Sequence, residues 1–554
     1  MGGNPPPRGT HYLKSKLHDA SVSFVPTSMR EDACSQPPVW RVIVEGHDDG
    51  TDALEVRLES LEGQETHPST GGLWRVQMSP DVEAFHAGNA WYFPLSFEAT
   101  ATGTKLSAEH LGIPNGGDAG GETGLWFVGV ERVTVVILGC GNRGNHYATY
   151  AKEHPDLARV VAISDVKPLR RRSMQSRFPG TLSSADIFED WKDLTCIGER
   201  LADAVVVSLP DRLHRAAAVS MGSLGYHMLL EKPMATTLED CIEIVDAVEK
   251  NHCLFAVCHV MRYTPYSRLM KALVSAGTLG AISHIQHLEP IGYYHFAHSY
   301  VRGNWRNEQT SSFSLLTKSC HDLDWILWMM AEPCVRISSF GSLHHFKEDS
   351  APEGAGTRCS VDCPSVVERQ CPYSAMKVYQ SIADRGSVWP VNVIVEDTPN
   401  MENVAEALRV GPYGRCVYKS DNDVCDQQVV SLQFKSGATA SFSMVAHTEE
   451  LCVRKTRIFG SHGQLEGDGI SEIRHFDFRT KESTVHRPSA EQMETAMSGH
   501  GYGDYHLMKD FIDAVRSNDQ GCILSGPRET LSSHALVFAA EKARKEQTVE
   551  AIPQ

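Results

Sequence analysis

No stretch of about 18 consecutive apolar residues occurs in this 554-residue chain, so no membrane-spanning helix is expected. The opening residues, Met-Gly-Gly-Asn-Pro-Pro-Pro-Arg, lack the apolar core of a secretory signal. Prolines at positions 5 to 7, followed by Gly9, also make Gly2 a poor myristoylation acceptor. Positive charge is in short supply: 52 Lys and Arg stand against 69 Asp and Glu, a net charge of −17, which argues against a nucleic-acid partner. No internal repeat is evident. Cysteine is present, but its 15 residues are an odd count spread over a long chain. With no signal sequence they read as mostly reduced, buried thiols in a cytoplasmic protein. What remains is ordinary for a soluble globular chain, 41% apolar and 22% charged, and the length calls for two or three domains.

The most informative stretch is Val133-Thr-Val-Val-Ile-Leu-Gly-Cys-Gly-Asn-Arg-Gly144. A β-branched, apolar run enters Gly139-x-Gly141-x-x-Gly144, and a helical segment follows. Gly139 suits a tight turn, Gly141 lets backbone approach a pyrophosphate, and Gly144 lets the helix pack close to the strand. The start of that helix, Asn142 and Arg143 included, offers unpaired N–H groups to an anion. A second strand, Arg159 to Ser164, ends at Asp165, where a carboxylate can bind the ribose hydroxyls of NAD. That carboxylate would repel a 2′-phosphate, whereas Lys167 and Arg170 to Arg172 could clamp one, so NADP stays possible.

Composition divides the chain. Residues 1–36, rich in Pro, Ser and charge, are expected to be disordered. Residues 37–130 hold short alternating or apolar runs separated by Gly, Asp and Pro, which suits a small all-β extension. Residues 131–258 alternate strand and helix, the pattern of a parallel sheet covered on both faces. Residues 259–554 carry longer strands with alternating polarity, the pattern of a large, mostly antiparallel open sheet, and two closing helices. The fold class expected is α/β: a Rossmann dinucleotide-binding domain plus an α/β domain, preceded by the all-β extension.

Four further segments follow in fixed order. Ser208-Leu-Pro210-Asp-Arg-Leu-His214 ends the third strand, where ligands gather in an open parallel sheet. Glu231-Lys232-Pro233 ends the next strand, Arg262-Tyr-Thr-Pro265 follows the one after, and Lys318-Ser-Cys-His321-Asp-Leu-Asp324 opens a helix. Together these resemble the Gfo/Idh/MocA oxidoreductases, the family of glucose–fructose oxidoreductase and inositol dehydrogenase, over roughly residues 133 to 554. The resemblance implies NAD or NADP as cofactor and hydride transfer to or from a carbon of a sugar, sugar derivative or cyclitol. It also implies a homo-oligomer formed through the C-terminal sheet. Two other readings stay open: an NAD-dependent glycosidase on the same scaffold, and a non-catalytic nucleotide-binding sensor.

Hydride removal from a carbinol needs a base for the hydroxyl proton and a donor for the carbonyl oxygen. On the resemblance, Lys232 ends its strand beside the nicotinamide and His321 takes the proton, imidazole titrating near neutrality. Ser208, Pro210, His214 and Glu231 fall with the cofactor loops, His214 reading equally well as a buried, satisfied histidine. Asp324 either orients the site or favours the helix N-terminus. Arg262 either touches substrate or makes an interdomain ion pair. His500, in Ser498-Gly-His-Gly-Tyr-Gly-Asp504, is placed to enter the sugar pocket, with Asp504 as a helix N-cap. The chain departs from the family pattern at Thr317, where many members carry Asp four residues before the histidine. The neighbouring Lys318 adds a cation, which points to an anionic group on the substrate unless a carboxylate pairs with it.

Cys359-x3-Cys363-Pro-x6-Cys371-Pro lies in a polar insertion, about 346 to 428. Three cysteines so spaced admit zinc with His344 or His345 as fourth ligand, or else loop thiols or a labile disulfide. The spacing is that of no standard finger or ribbon, and no metal ligand is assigned.

Overall fold

The structure is a computed structural model. It describes residues 132–553 apart from 387, 396, 397, 494 and 496, with the backbone of eleven strands inside 1–131. The chain forms two compact units, Met1–Arg132 and Val133–Gln554. In the first, strands from Tyr12–Lys14 to Val82–Glu83 form a six-stranded antiparallel meander, with small sheets of three and two strands besides. Two of these strands, Tyr12–Lys14 and Ser21–Pro26, fall within the stretch expected to be disordered. Ser21-Val-Ser-Phe-Val alternates polar and apolar residues, a pattern that outweighs the local Pro and Ser content. The remainder of residues 1–36 lies outside the described residues.

The second unit begins with a six-stranded, all-parallel sheet. Its strands run in the order Ile187–Phe188, Ala158–Ser164, Val133–Leu138, Ala204–Val207, His227–Leu230, Phe255–Val257. The direction of winding reverses between Val133–Leu138 and Ala204–Val207, which opens a crevice at their C-terminal ends, where such sheets bind ligands. Strand periodicity sorts the core. Val133, Val135 and Ile137 face one layer with the helices Asn142–Glu153 and Gly503–Ser517, while Val136 and Leu138 face the other with His214–Ser223 and Leu238–Lys250.

The second sheet has nine strands, in the order Ser483–His486, Ile473–Asp477, Gly463–Gly467, Lys455–Gly460, Ile282–Pro290, Thr439–Val445, Gln427–Phe434, Cys334–Ser342, Val549–Ala551. Only Ile282–Pro290 with Thr439–Val445 is a parallel pair. Along Gln427–Phe434 every second residue is buried, so one face is covered and the other open. Val430, Leu432, Phe442, Met444 and Ile458 bury that covered face with the helices Cys320–Met330 and Pro527–Glu546.

A buried ion pair joins the two sheets. Arg262, in the turn after the last Rossmann strand, donates from Nε and Nη2 to Asp324 at 2.6 and 2.8 Å, and from Nη1 to the Leu524 carbonyl at 2.6 Å. Burial opposes ionisation of Asp324, yet Arg262 and His259 hold its carboxyl below the ordinary range. Removing one partner strands a buried charge, so Arg262→Met should destabilise the protein by about 3–5 kcal/mol. Thermal and urea unfolding monitored by circular dichroism check this; an unchanged midpoint would show that the pair contributes nothing.

Candidate functional site

The glycine loop has the geometry its sequence implies. Gly139 takes φ +90°, and a Cβ there would lie 2.4 Å from the Ser208 carbonyl oxygen. A Cβ at Gly144 would lie 1.9 Å from the Gly139 oxygen. At Gly141 a Cβ would meet only the tip of the Arg170 side chain, at 3.3 Å. Space is therefore kept over Gly141, at the N-cap of the helix Asn142–Glu153, with exposed Asn142 beside it. A dinucleotide's pyrophosphate fits there, against free helix-terminal N–H groups and the Arg170 guanidinium. Ser208 Oγ supports the loop from below, donating toward the Gly139 and Leu138 carbonyls at 2.9 and 3.0 Å. Pro210 opens the short turn Asp211–Leu213 beyond it. Asp165 accepts from the backbone N–H groups of Cys140 and Lys167, both at 2.8 Å. A carboxylate has about four lone-pair sites, so capacity for ribose hydroxyls remains.

Several expected cofactor contacts are internal clamps instead. Arg143 bonds Glu231 through Nε at 2.5 Å and uses its other donors on Asp504 and the Tyr147 hydroxyl, so its guanidinium is not free for phosphate. Burial raises the cost of charge on Glu231, but Arg143 and Lys232 hold its carboxyl below the usual range. His214 is fully buried with Nδ1 2.8 Å from the Pro233 carbonyl and Nε2 2.9 Å from that of Leu209. It fastens the turn carrying Lys232 rather than facing a ligand.

Lys232 itself reaches across to the second sheet's helices, donating from Nζ to the Thr317 carbonyl at 2.8 Å. His321 lies one turn on, in the first turn of Cys320–Met330, 5% exposed, with no hydrogen-bond partner at Nδ1. Burial, reinforced by Lys232, His259 and Arg454, holds its imidazole well below the usual histidine range. His500 stands 6.4 Å from His321, ring centre to ring centre. The structure thus sets His500 beside His321 and Lys232 against the residue four before it.

Other placements differ from expectation. Asp504 is no N-cap; it is the second residue of Gly503–Ser517, fully buried between Arg143, His146 and His500. Thr317 is buried and donates to the Phe313 carbonyl, so it makes no side-chain link to His321. Arg262 and Asp324 spend themselves on each other, which removes both from substrate contact. Lys318 is buried with its ammonium 3.1 Å from Glu289 and 2.9 Å from Cys452 Sγ. Its charge is already met, so it gives no ground for an anionic substrate.

Sequence reasoning missed His259 and the network behind Lys318. His259 is fully buried, 5.6 Å from His321 and 3.8 Å from Asp324, and burial pushes it down to about 4. Its signal was its position, two residues past the last Rossmann strand, where ligands collect. The network runs from Glu289 through Arg454 (2.7 Å) to Asp322 (2.9 Å) and His287 (3.2 Å). Its members lie far apart in sequence and no local motif marks them.

Among curated proteins the chain is 26% identical over 380 residues to YteT of Bacillus subtilis (strain 168), assigned as an oxidoreductase; this covers 66% of this chain and 85% of that one. It is 27% identical over 209 residues to inositol 2-dehydrogenase 1 of Saccharopolyspora erythraea, covering 37% of this chain and 57% of that enzyme. Two solved structures share the fold at 15% identity over 76% of this chain. One is levoglucosan dehydrogenase in complex with NADH and levoglucosan (TM-score 0.55, 100% of that chain). The other is an oxidoreductase from Agrobacterium radiobacter in complex with NAD+, L-tartaric acid and magnesium (TM-score 0.54, 98% of that chain). Residues 133–259 match an oxidoreductase family with an NAD-binding Rossmann fold, and residues 271–551 match the same family's C-terminal alpha/beta domain.

The glycines separate binding from folding. Gly141→Val should fold normally and weaken NADH binding at least about tenfold, or about 1.4 kcal/mol. Gly144→Ala should lower the melting temperature, because its Cβ meets backbone. Fluorescence titration with NADH and thermal melts check the pair; undiminished binding by folded Gly141→Val would contradict the site.

Proposed function

The chain belongs to the NAD-binding Gfo/Idh/MocA oxidoreductase family, and on that premise we propose that Lys232 and His321 act together on one hydroxyl of a sugar, sugar derivative or cyclitol. The observation that carries this reading is the reach of Lys232 across the cleft to the Thr317 carbonyl, one turn before a buried, neutral His321. The glycine loop and Asp165 would hold NAD, which would supply a hydride acceptor for the carbon bearing that hydroxyl. The Lys232 ammonium keeps two further N–H donors for the substrate oxygen, and His321 Nδ1 has no competing partner for the hydroxyl proton. His259 packs edge-on against His321 and lies 3.8 Å from the Asp324 carboxylate, and it joins burial and Lys232 in keeping His321 neutral. Asp165 favours NAD over NADP by repelling a 2′-phosphate. The inositol 2-dehydrogenases among the relatives support a polyhydroxylated ring as substrate.

Self-association through the open face of the nine-stranded sheet belongs to the same proposal. Phe340 is 74% exposed there and pairs in register with Val429, itself 40% exposed. Phe340→Asp should lower the mass measured by light scattering to that of one chain; an unchanged mass would remove the assignment. Among the described residues no helix is long and apolar enough to cross a membrane. The described cysteines are all free, which supports a reducing, cytoplasmic setting.

A panel of sugars and cyclitols, followed by NADH absorbance, tests the chemistry. Lys232→Met should cut kcat by roughly 10²-fold or more while leaving NADH affinity near wild type. His321→Ala should do likewise. Because the folded histidine protonates below its ordinary 6.5, kcat/KM for oxidation should hold as pH falls through 6.5 and drop only well below it. That acid limb should vanish in His321→Ala. Near-normal turnover in both variants would sink the pairing.

A further inference from the structure

Among the described residues no three His, Cys, Asp or Glu side chains converge on a point that a metal ion could occupy, the cysteines of the insertion included. Sulfur is set for a different chemistry at Cys452, in the loop between the strands Thr439–Val445 and Lys455–Gly460. This cysteine is in no disulfide and is partly exposed. Its Sγ lies 2.9 Å from Lys318 Nζ, 3.4 Å from His295 Nδ1 and 3.7 Å from the Ile291 carbonyl. The backbone is fixed to hold it there. Cys452 N–H donates to the Pro290 carbonyl at 2.6 Å, and its φ of +57° lies in the left-handed region that residues other than glycine seldom adopt.

Two donors meet at the sulfur. His295 Nδ1 also stands 3.3 Å from the Ile291 carbonyl, which can only accept, so that nitrogen carries a proton. Lys318 Nζ brings its own N–H groups and reaches Glu289 Oε1 at 3.1 Å. Burial opposes the charge on Lys318, whereas Cys452, ahead of Glu289, sustains it and holds the ammonium above its ordinary range. The influence is mutual. Burial holds the Cys452 thiol above its ordinary value, and Lys318 is the strongest pull toward thiolate. A change at one atom therefore releases the other. Once the sulfur carries no negative charge, burial favours loss of the Lys318 proton, and Glu289 is within reach to take it.

We propose that Cys452 and Lys318 form a covalent nitrogen–sulfur cross-link when a peroxide reaches this loop. The Cys452 thiolate attacks one peroxide oxygen and the O–O bond breaks. The sulfur loses two electrons and becomes a sulfenic acid, while the other oxygen takes the thiol's proton and leaves as water. Lys318, its extra proton passed to Glu289, then attacks the sulfenic sulfur. A nitrogen–sulfur bond forms, the sulfur–oxygen bond breaks, and the hydroxyl leaves with an amine proton as a second water. An added thiol reverses the step by attacking the sulfur and returning the amine. Because thiolate is the reactive form and burial keeps it scarce, the oxidant required is a peroxide rather than air. The link lies beside the cleft. Lys318 follows Thr317, whose carbonyl holds Lys232, and once it is bonded to sulfur Glu289 keeps only Arg454 as a cation, at 2.7 Å.

The full chain tests this without any substrate, so the outcome is independent of the hydride transfer. It is treated with hydrogen peroxide, remaining thiols are capped with iodoacetamide in denaturant, and the tryptic peptides are measured by mass spectrometry. The expected result is a species joining the peptides that contain residues 318 and 452, lighter than their sum by two hydrogens, with cleavage after Lys318 lost. Dithiothreitol before capping should abolish it. Cys196→Ser should still form it and Cys452→Ser should not, NADH binding showing that both variants fold. Cys196 is exposed, so its oxidation in the same wild-type digest shows that the peroxide sufficed. At such a dose, Cys452 recovered as a capped thiol, or carrying oxygen beside an unmodified Lys318, would overturn the proposal. A bond from Cys452 to another cysteine in place of Lys318 would overturn it as well.

Discussion

The site depends on one guanidinium. Arg143 sits at the start of the helix that follows the glycine loop and is bonded to Glu231 and Asp504 at once. Glu231 precedes Lys232 and Asp504 opens the helix Gly503–Ser517, so three stretches separated by up to 361 residues meet at one cation. Burial makes each of these charges costly alone, and together they offset one another. Asp504, with Arg143 and His500 against it, is held well below the ordinary carboxylate range despite its burial. The loop that receives a cofactor and the turn that carries Lys232 therefore cannot shift independently.

Charge is handled differently on the two sides of the opening. Toward the sheet, Lys318 and Arg454 are matched by Glu289 and Asp322. Toward the opening, His321 faces Lys232, His259 and His500 and no carboxylate directly. Such surroundings keep an imidazole neutral, and a neutral imidazole accepts a proton. The price is that imidazolium, once formed, is poorly stabilised.

The sequence made the Rossmann half legible because its signals are local. A β-branched run, a turn needing positive φ at Gly139 and a close approach at Gly144 all fall within twelve residues. The second sheet was legible as strands but not as a network. Glu289 and Arg454 meet because Ile282–Pro290 lies antiparallel to Lys455–Gly460, a pairing no local pattern encodes. Gly463–Gly467 escaped notice because Gly-Gln-Leu-Glu-Gly shows neither apolar alternation nor β-branching, and hydrogen bonds to both neighbours make it a strand. Arg262 and Lys318 each left two readings open, a ligand contact or an ion pair, because sequence displays a charge and hides its partner.

Lys232 rests on a main-chain carbonyl rather than on a carboxylate. A carboxylate would hold the ammonium tightly and orient it for good. The Thr317 carbonyl holds it by a single neutral acceptor. On the proposed reading the lysine joins the two lobes, and its remaining donors would be shared with whatever oxygen came to lie beside it. A molecule offering only carbon at that position would leave the contact with Thr317 as it stands, whereas a hydroxyl would engage the same ammonium, so one side chain would both join the lobes and sense an alcohol.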